Sequence, residues 1–156
     1  MAISKIQDAG VSLTSAALPA GSVLQVVQGT FSAEAETSSS TYADTGLTAS
    51  ITPSSASNKI LVIVTMAGVG KGDNNTSCLI RTLRDATVID TTRDIGYTAS
   101  TASNYIGTVS LTVLDSPATT SAITYKTQFA SAANNSRARV CSSNSTSYIT
   151  LMEIAA

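Results

Sequence analysis

The chain of 156 residues contains no histidine and no tryptophan. Without histidine, neither a Ser-His-Asp nor a Cys-His arrangement for nucleophilic catalysis can form, and the usual histidine-containing zinc sites are excluded as well. Only 12% of the residues are charged and the formal net charge is -1, so long-range attraction to nucleic acid or to an anionic membrane is absent. We therefore expect no cofactor, no bound metal and no nucleic-acid partner.

Two carboxylates alone can hydrolyse a glycoside, and the sequence offers two pairs. Glu34 and Glu36 lie two residues apart on a predicted strand, and Asp90 with Asp94 is the second pair. Aromatic residues, which serve glycan-cleaving enzymes as sugar platforms, make up only 4% of the chain. We interpret these acids as solvated surface groups and predict that the protein is not an enzyme. A glycan depolymerase is the catalytic alternative.

Cysteine is scarce too, since Cys78 and Cys141 are the only two in the chain. Both lie in apolar segments that read as strands, which favours two buried thiols, with a disulfide as the alternative. Residues 1–6 lack the apolar segment of a signal peptide, and no apolar run is long enough to span a membrane. The sequence therefore predicts no membrane insertion.

What the chain does have is one long β-branched apolar run, residues 59–68. Its length and its flanking Ser, Asn and Gly residues predict a central strand. Alternation places Ile60, Val62, Val64 and Met66 on one face and Leu61, Ile63 and Ala67 on the other. Because both faces are apolar, we expect a second sheet to cover one and a neighbouring subunit to cover the other.

The last predicted strand, residues 147–154, is also apolar on both faces. Together the two strands predict a homotrimer. Its predicted interface residues are Leu61, Ile63, Val62, Val64, Met152 and Ile154.

Eight or nine short strands separated by Ser, Asn and Gly turns, with no amphipathic helix, are typical of an all-β fold. We predict a jelly-roll-like antiparallel β-sandwich over residues 21–156. Residues 1–20 are expected to form an extended leader for attachment or oligomerisation. Its predicted contact residues are Ile3, Ile6, Val11 and Leu13.

Tyrosines and arginines are the remaining candidates for ligand contacts. Tyr42, Tyr97 and Tyr105 flank predicted loops, where they either pack or stack on a receptor glycan, whereas Tyr125 and Tyr148 are expected to be buried. For the arginines we expect inter-subunit or inter-strand ion pairs with aspartates, with sugar or phosphate binding at an exposed tip as the alternative. The arginines are Arg81, Arg84, Arg93, Arg137 and Arg139, and the expected aspartates are Asp85, Asp90 and Asp94.

The glycine-rich residues 68–72 follow a strand as a phosphate-binding loop does. Thr65 stands where the first glycine of that motif belongs, and Gly72 stands where Ser or Thr belongs. We therefore interpret residues 68–72 as an ordinary loop.

Several blocks in order carry a resemblance to a known family, namely residues 18–27, 42–47, 51–62 and 147–154. They resemble domains in tail fibres and other virion structural proteins of tailed bacteriophages, notably those that infect marine bacteria and cyanobacteria. In tail fibres such a domain tends to be the distal, trimeric β-sandwich knob. Fibres usually carry a long shaft ahead of the knob, whereas about 20 residues precede the domain here.

The resemblance implies a non-catalytic structural protein of the virion, assembled in the cytoplasm of a bacterial host. It implies a trimeric fibre- or spike-type knob that takes part in host attachment, with a host surface glycan as a possible ligand. Its other partners would be tail or baseplate proteins. A capsid-decorating protein that stabilises the head by binding the major capsid protein is the alternative.

Overall fold

A computed structural model describes residues 18–100 and 102–156, and within these ranges the chain forms ten strands and one short 3-10 turn. The leader residues Ile3, Ile6, Val11 and Leu13 lie outside the described residues. The strands are β1 (Val23–Phe31), β2 (Ala35–Thr37), β3 (Ala43–Ile51), β4 (Lys59–Lys71), β5 (Thr76–Arg84), β6 (Thr87–Thr98), β7 (Asn104–Asp115), β8 (Ile123–Ser131), β9 (Ala138–Val140) and β10 (Ser147–Ile154), and the 3-10 turn is Ser142–Asn144.

The long strands form two antiparallel sheets. In sheet A the order of the long strands is β1-β10-β4-β7. The short strand β9 pairs with the C-terminal end of β4, on the same edge as β10, and β2 pairs with β9. In sheet B the order is β3-β8-β5-β6. Two four-stranded sheets with these interleaved connections have the strand order of a jelly roll. The prediction of an all-β sandwich is confirmed.

The core lies between the sheets, and β4 supplies its centre. Ile60, Val62, Val64 and Met66 are at most 1% exposed and belong to one apolar cluster with residues of β3, β5 and β8. The contributions of sheet B include Leu47, Ile51, Ile80, Tyr125 and Phe129. Period-two alternation grouped these four residues on one face correctly, but it did not say whether that face or the opposite one would be the inner one.

A β-bulge interrupts β4 between Met66 and Val69, so residues 68–71 belong to the strand and the loop interpretation is wrong. Gly68 lies at the bulge with φ of 60°, and a Cβ there would be 2.3 Å from the backbone nitrogen of Ser142. Glycine is needed for this backbone conformation and for the close approach of the 3-10 turn. Beyond the bulge the side chain of Lys71 is buried.

Two contacts hold the sheets together at their margins. Gly29 on β1 lies so close to β3 that a Cβ would be 2.0 Å from the carbonyl oxygen of Thr48. On the β7 side, Asp115 accepts hydrogen bonds from Arg84 Nη1 at 2.8 Å and from the hydroxyl of buried Tyr125 at 2.7 Å. Because Asp115 is in sheet A and its partners are in sheet B, this carboxylate links the two layers.

Candidate functional site

The outer surface of sheet A carries an apolar row across all four long strands. Val26 pairs with Met152, Met152 with Leu61, and Leu61 with Leu114. Val26 is 57% exposed and Leu114 52% exposed, while Leu61 and Met152 between them are half-buried. A monomer thus leaves four large aliphatic side chains in contact with water across the width of the sheet.

Neighbouring rows extend this surface. The row toward the start of β4 contains Ile154 and Lys59, and the rows on the other side contain Ile63 and Tyr148 among Thr, Ser and Gln residues. Within these four rows, all of them described, Lys59 is the only charged residue. We define the outer apolar face as Val23, Val26, Leu61, Ile63, Leu114, Tyr148, Met152 and Ile154.

The outer surface of sheet B is different in kind. There Arg81 donates to Gln128, Gln128 donates to Asp44, and Lys126 pairs with Asp44 at 3.0 Å. The hydrogen bond from Gln128 contributes most to lowering the pKa of Asp44, with Lys126 and Arg81 acting in the same direction against the raising effect of burial. One sheet therefore presents paired charges to solvent, whereas the other presents aliphatic carbon.

The predicted interface residues divide between the two faces of sheet A. Leu61, Ile63, Met152 and Ile154 belong to the outer apolar face, where a neighbouring subunit can reach them. Val62 and Val64 do not, because both are buried in the core between the sheets. The interface prediction is therefore corrected at these two positions, since a side chain enclosed by its own sandwich has no surface left for a partner.

Tyr148, predicted to be buried, is 40% exposed on the outer apolar face, and that prediction is wrong. Both alternating sets of residues on β10 are apolar, and the set with Ile149 and Leu151 faces the core. Tyr148 belongs to the other set. Tyr125 is buried as predicted.

Beyond the bulge, the outer surface of sheet A becomes polar and aromatic. Gly70 pairs with Arg139 on one side and with Tyr105 on the other. Because Gly70 has no side chain, its two neighbours meet across it, and Arg139 Nη1 donates to the Tyr105 hydroxyl at 2.8 Å. Arg139 also pairs with Glu36 at 3.0 Å. Tyr105 as a whole remains 60% exposed.

Arg137 lies beside Arg139, and both side chains pass over Gly72. Its side chain donates to the Gly72 carbonyl at 3.1 Å and pairs weakly with Asp73, at 3.4 Å. Asp73 is held more tightly by the backbone N–H of Arg137, at 2.6 Å, and this hydrogen bond is the main cause of its lowered pKa. We define Tyr105, Arg137 and Arg139 as the arginine–tyrosine cluster.

The three tyrosines predicted to contact a receptor do not form one site. Tyr42 is half-buried under Arg81 on sheet B, where the guanidinium carbon is 4.0 Å from the ring centroid. Tyr97 and Tyr105 are both exposed near the far end of β4, and the ammonium of Lys71 is 6.0 Å from the ring centroid of Tyr97. Packing accounts for Tyr42, whereas Tyr97 and Tyr105 are each more than half exposed.

Within one chain the arginines find other partners than the inter-strand ones predicted. Among the described residues the arginine ion pairs are Arg84–Asp115, Arg137–Asp73 and Arg139–Glu36, so none involves Asp85, Asp90 or Asp94. Strand pairing brings together residues that lie far apart in the chain, and sequence proximity therefore misled the choice of partners.

The carboxylates considered for glycosidase chemistry already have hydrogen-bond or ion-pair partners. Glu36 is paired with Arg139, and Glu34 accepts the backbone N–H of Ser143 at 3.1 Å. Asp94 lies 3.4 Å from the hydroxyl of Ser77. A shallow cavity of about 180 Å³ between Asp44 and Lys126 is smaller than a typical ligand pocket.

Cys78 and Cys141 are both free and buried. Burial raises the pKa of Cys78 to about 12 and also raises that of Cys141, so both remain protonated and unreactive at neutral pH. Among the described residues, no group of three or more Cys, Asp or Glu side chains is placed to hold a metal ion. In the same part of the chain, no helix has the length and apolarity that crossing a bilayer requires.

One buried carboxylate escaped the sequence analysis. Glu153 on β10 is fully buried, and its Oε1 accepts from the Ser54 N–H at 2.7 Å, the Ser54 hydroxyl at 2.8 Å and Asn58 Nδ2 at 2.7 Å. Its Oε2 accepts from Gln25 Nε2 at 2.6 Å. Burial acts to raise the pKa of Glu153, but the hydrogen bonds from Asn58, Gln25 and Ser54 together lower it. This network fixes the loop between β3 and β4 against sheet A.

Comparisons with known proteins add no identification. A scan of the chain against protein-family models gives no match, and a search among curated proteins gives none. The resemblance to phage virion proteins therefore stays a prediction. Any proposal about function has to depend on the fold and on the two parts of the outer surface of sheet A.

Proposed function

We propose that this chain is a non-catalytic structural protein of a tailed-bacteriophage virion, a trimeric fibre- or spike-type knob that takes part in host attachment. The observation that carries the proposal is the outer apolar face of sheet A. Its residues are apolar or aromatic, it spans four strands, and Lys59, the one charged residue in the same rows, lies at a corner. Exposed apolar surface of this kind marks a site of association.

The partner that suits this face best is a second copy of the chain. Four strands at about 4.8 Å spacing and seven residues of length give a flat area on the order of 400 Å². An interface of standard size uses about 800 Å² per partner, so the four rows would supply about half of it, with the apolar face at the centre and the Thr, Ser and Gln residues of the same rows beside it. An apolar centre that lacks charge, with polar residues at the rim, is the usual anatomy of a protein–protein interface, and homodimer interfaces are the more apolar ones.

Light scattering on the purified chain tests the assembly. Three copies of 15.9 kDa give about 48 kDa, and Leu61→Lys, which places a charge at the centre of the face, should reduce the mass to 15.9 kDa with an unchanged circular dichroism spectrum. Ser50→Lys, on the exposed outer surface of sheet B, is the matched control and should stay trimeric. A wild-type mass of 15.9 kDa contradicts self-association, and a stable dimer contradicts the three-fold arrangement.

The attachment role has a separate test. Purified wild-type protein should compete with the phage for adsorption to host cells, and the monomeric Leu61→Lys variant should compete much less, because linked weak sites gain affinity together. Undiminished adsorption at saturating protein would contradict the role in attachment. Release of reducing sugar from host polysaccharide would contradict the non-catalytic assignment.

A capsid-decorating protein is the second candidate, because an uncharged apolar face can equally seat on the major capsid protein. Copy number separates the two functions. Quantitative mass spectrometry of purified virions should find a few copies per virion for a fibre or spike. A copy number large enough to cover the whole head would support decoration.

A further inference from the structure

We propose that the arginine–tyrosine cluster binds an acidic saccharide, with the ring of Tyr105 as the platform for the sugar and Arg137 as the partner of its carboxylate. The proposal rests on the attachment function proposed above and names its ligand class. It concerns the part of sheet A that the outer apolar face leaves free, beyond the bulge in β4.

Tyr105 is held in a fixed orientation although most of its surface is exposed. Its hydroxyl accepts a hydrogen bond from Arg139, and the guanidinium carbon of Arg139 is 5.5 Å from the ring centroid. A Cβ on Gly70 would lie 3.3 Å from Tyr105 Cδ1, so the ring edge rests against the glycine backbone. A ring that is fixed before binding loses little conformational freedom on binding. The apolar face of a pyranose packs on such a ring.

The cluster concentrates positive charge in a chain whose net charge is -1. The guanidinium groups of Arg137 and Arg139 are close neighbours, since each has an atom 3.1 Å from the point where a Cβ of Gly72 would lie. Lys71, below them, donates to the carbonyl of Thr98 at 2.7 Å. Glu36 and Asp73 are the acids that pair with the two arginines, so among these described residues the buried Lys71 is the cation without a carboxylate partner.

Arg137 is the cation available to a ligand. Its side chain is 47% exposed, and its contact to Asp73 is long, at 3.4 Å. Arg139, by contrast, is 13% exposed and is engaged by both Glu36 and Tyr105. An exposed guanidinium beside an aromatic platform suits a carboxylate that projects from a sugar ring. Glu36 and Asp73 at the margin disfavour a polyphosphate backbone, which carries charge along its whole length.

Matched pairs of oligosaccharides test the ligand class by isothermal titration calorimetry. The probes are the hexasaccharides of mannuronate and of galacturonate, each beside its neutral counterpart, mannohexaose or galactohexaose. We expect at least one uronate to bind with a millimolar dissociation constant at low salt and to bind about tenfold more tightly than its neutral counterpart. Added salt should remove most of that difference.

Variants locate the binding. Tyr105→Ala should weaken uronate binding about tenfold or more, and Arg137→Gln about fivefold, with neutral sugars unaffected by the arginine change. Arg93→Gln is the control, because it makes the same change of charge at an exposed position on β6 and should leave binding unchanged. Tyr105→Phe, which keeps the ring and loses the contact to Arg139, should fall between wild type and Tyr105→Ala.

Three results would overturn the site: no uronate binding at about 5 mM probe, equal binding of acidic and neutral sugars, or uronate binding that survives both Tyr105→Ala and Arg137→Gln. Light scattering on the same samples keeps the two proposals apart. A trimer that binds no uronate overturns the saccharide site alone, and a monomer that binds uronate overturns the assembly alone.

Discussion

Replacing Glu153 by glutamine should destabilise the fold strongly although the two side chains have nearly the same shape. All four partners of the carboxylate are hydrogen-bond donors, three on Oε1 and one on Oε2. In Glu153→Gln the new amide N–H2 must face a donor, so at least one hydrogen bond is lost and the others are no longer charge-assisted. Gln25 cannot simply turn its amide over, because its Nε2 also donates to the carbonyl of Thr52 at 2.8 Å.

Hydrogen bonds to a charged group contribute about 1.5–3 kcal/mol each and neutral ones about 0.5–1.5 kcal/mol. One lost bond and three weakened ones sum to about 5 kcal/mol, and the lower cost of burying a neutral amide in place of a carboxylate offsets part of this sum. We therefore expect a loss of about 3 kcal/mol in the free energy of unfolding, or about 10 °C in Tm for a chain of this length. The measurement is urea unfolding at pH 7, followed by circular dichroism at one fixed protein concentration. Glu34→Gln, at an exposed glutamate, is the control and should change stability by less than about 0.5 kcal/mol.

The pH dependence gives a second readout. Because the pKa of Glu153 in the folded protein lies below the ordinary value of 4.5, its carboxylate stabilises the fold above that pH, and the contribution is lost as the pH falls through the folded pKa. The difference between wild type and Glu153→Gln should therefore be full at pH 7 and shrink below about pH 4.5. A difference below about 0.5 kcal/mol at pH 7, or one that persists unchanged at pH 3, would refute the reasoning.

Two further predictions concern the contacts between the sheets. Gly29→Ala places a Cβ 2.0 Å from the carbonyl oxygen of Thr48, and we expect a loss of more than about 2 kcal/mol in thermal unfolding; an unchanged Tm would show that β1 and β3 separate freely. Tyr125→Phe removes the hydrogen bond to the Asp115 carboxylate and should cost about 2 kcal/mol at pH 7. Burial and Asp115 raise the pKa of Tyr125 above its ordinary value of 10, so wild-type stability should fall above pH 10, and this loss should be smaller in Tyr125→Phe; parallel curves for the two proteins would contradict that assignment.

The sequence predicted the parts of the fold that depend on local alternation. The grouping of alternate residues from Ile60 to Met66 on one face of β4 was recognisable, and the last predicted strand coincides with β10, because side chains on one face of a strand repeat every second residue. Where both alternating sets are apolar, as on β4 and β10, that pattern cannot choose the inner one. For this reason the interface prediction included Val62 and Val64, and the burial prediction included Tyr148.

The contacts that define the candidate sites are long-range and were out of reach. Arg139 meets Tyr105 only because both strands pair with Gly70, and Glu153 meets Ser54 across 99 positions of the chain. The high density of glycine in residues 68–72 predicts a loop, whereas Gly68 makes a bulge and Gly70 leaves room for its neighbours. Glycine reports a need for space or for an unusual backbone angle, and the sequence alone does not say which.

The bulge in β4 divides the outer surface of sheet A along the strand, with the outer apolar face before the bulge and the arginine–tyrosine cluster after it. If copies associate through the outer apolar face around an axis parallel to β4, the arginine–tyrosine clusters of all copies lie at the same end of the assembly. The two ends of such an assembly would differ: one would carry all the candidate saccharide sites, and the other would be available for attachment to the rest of the particle. An antiparallel pair of copies would place the clusters at opposite ends. Whether β4 runs parallel or antiparallel in neighbouring copies therefore decides whether the candidate saccharide sites lie together.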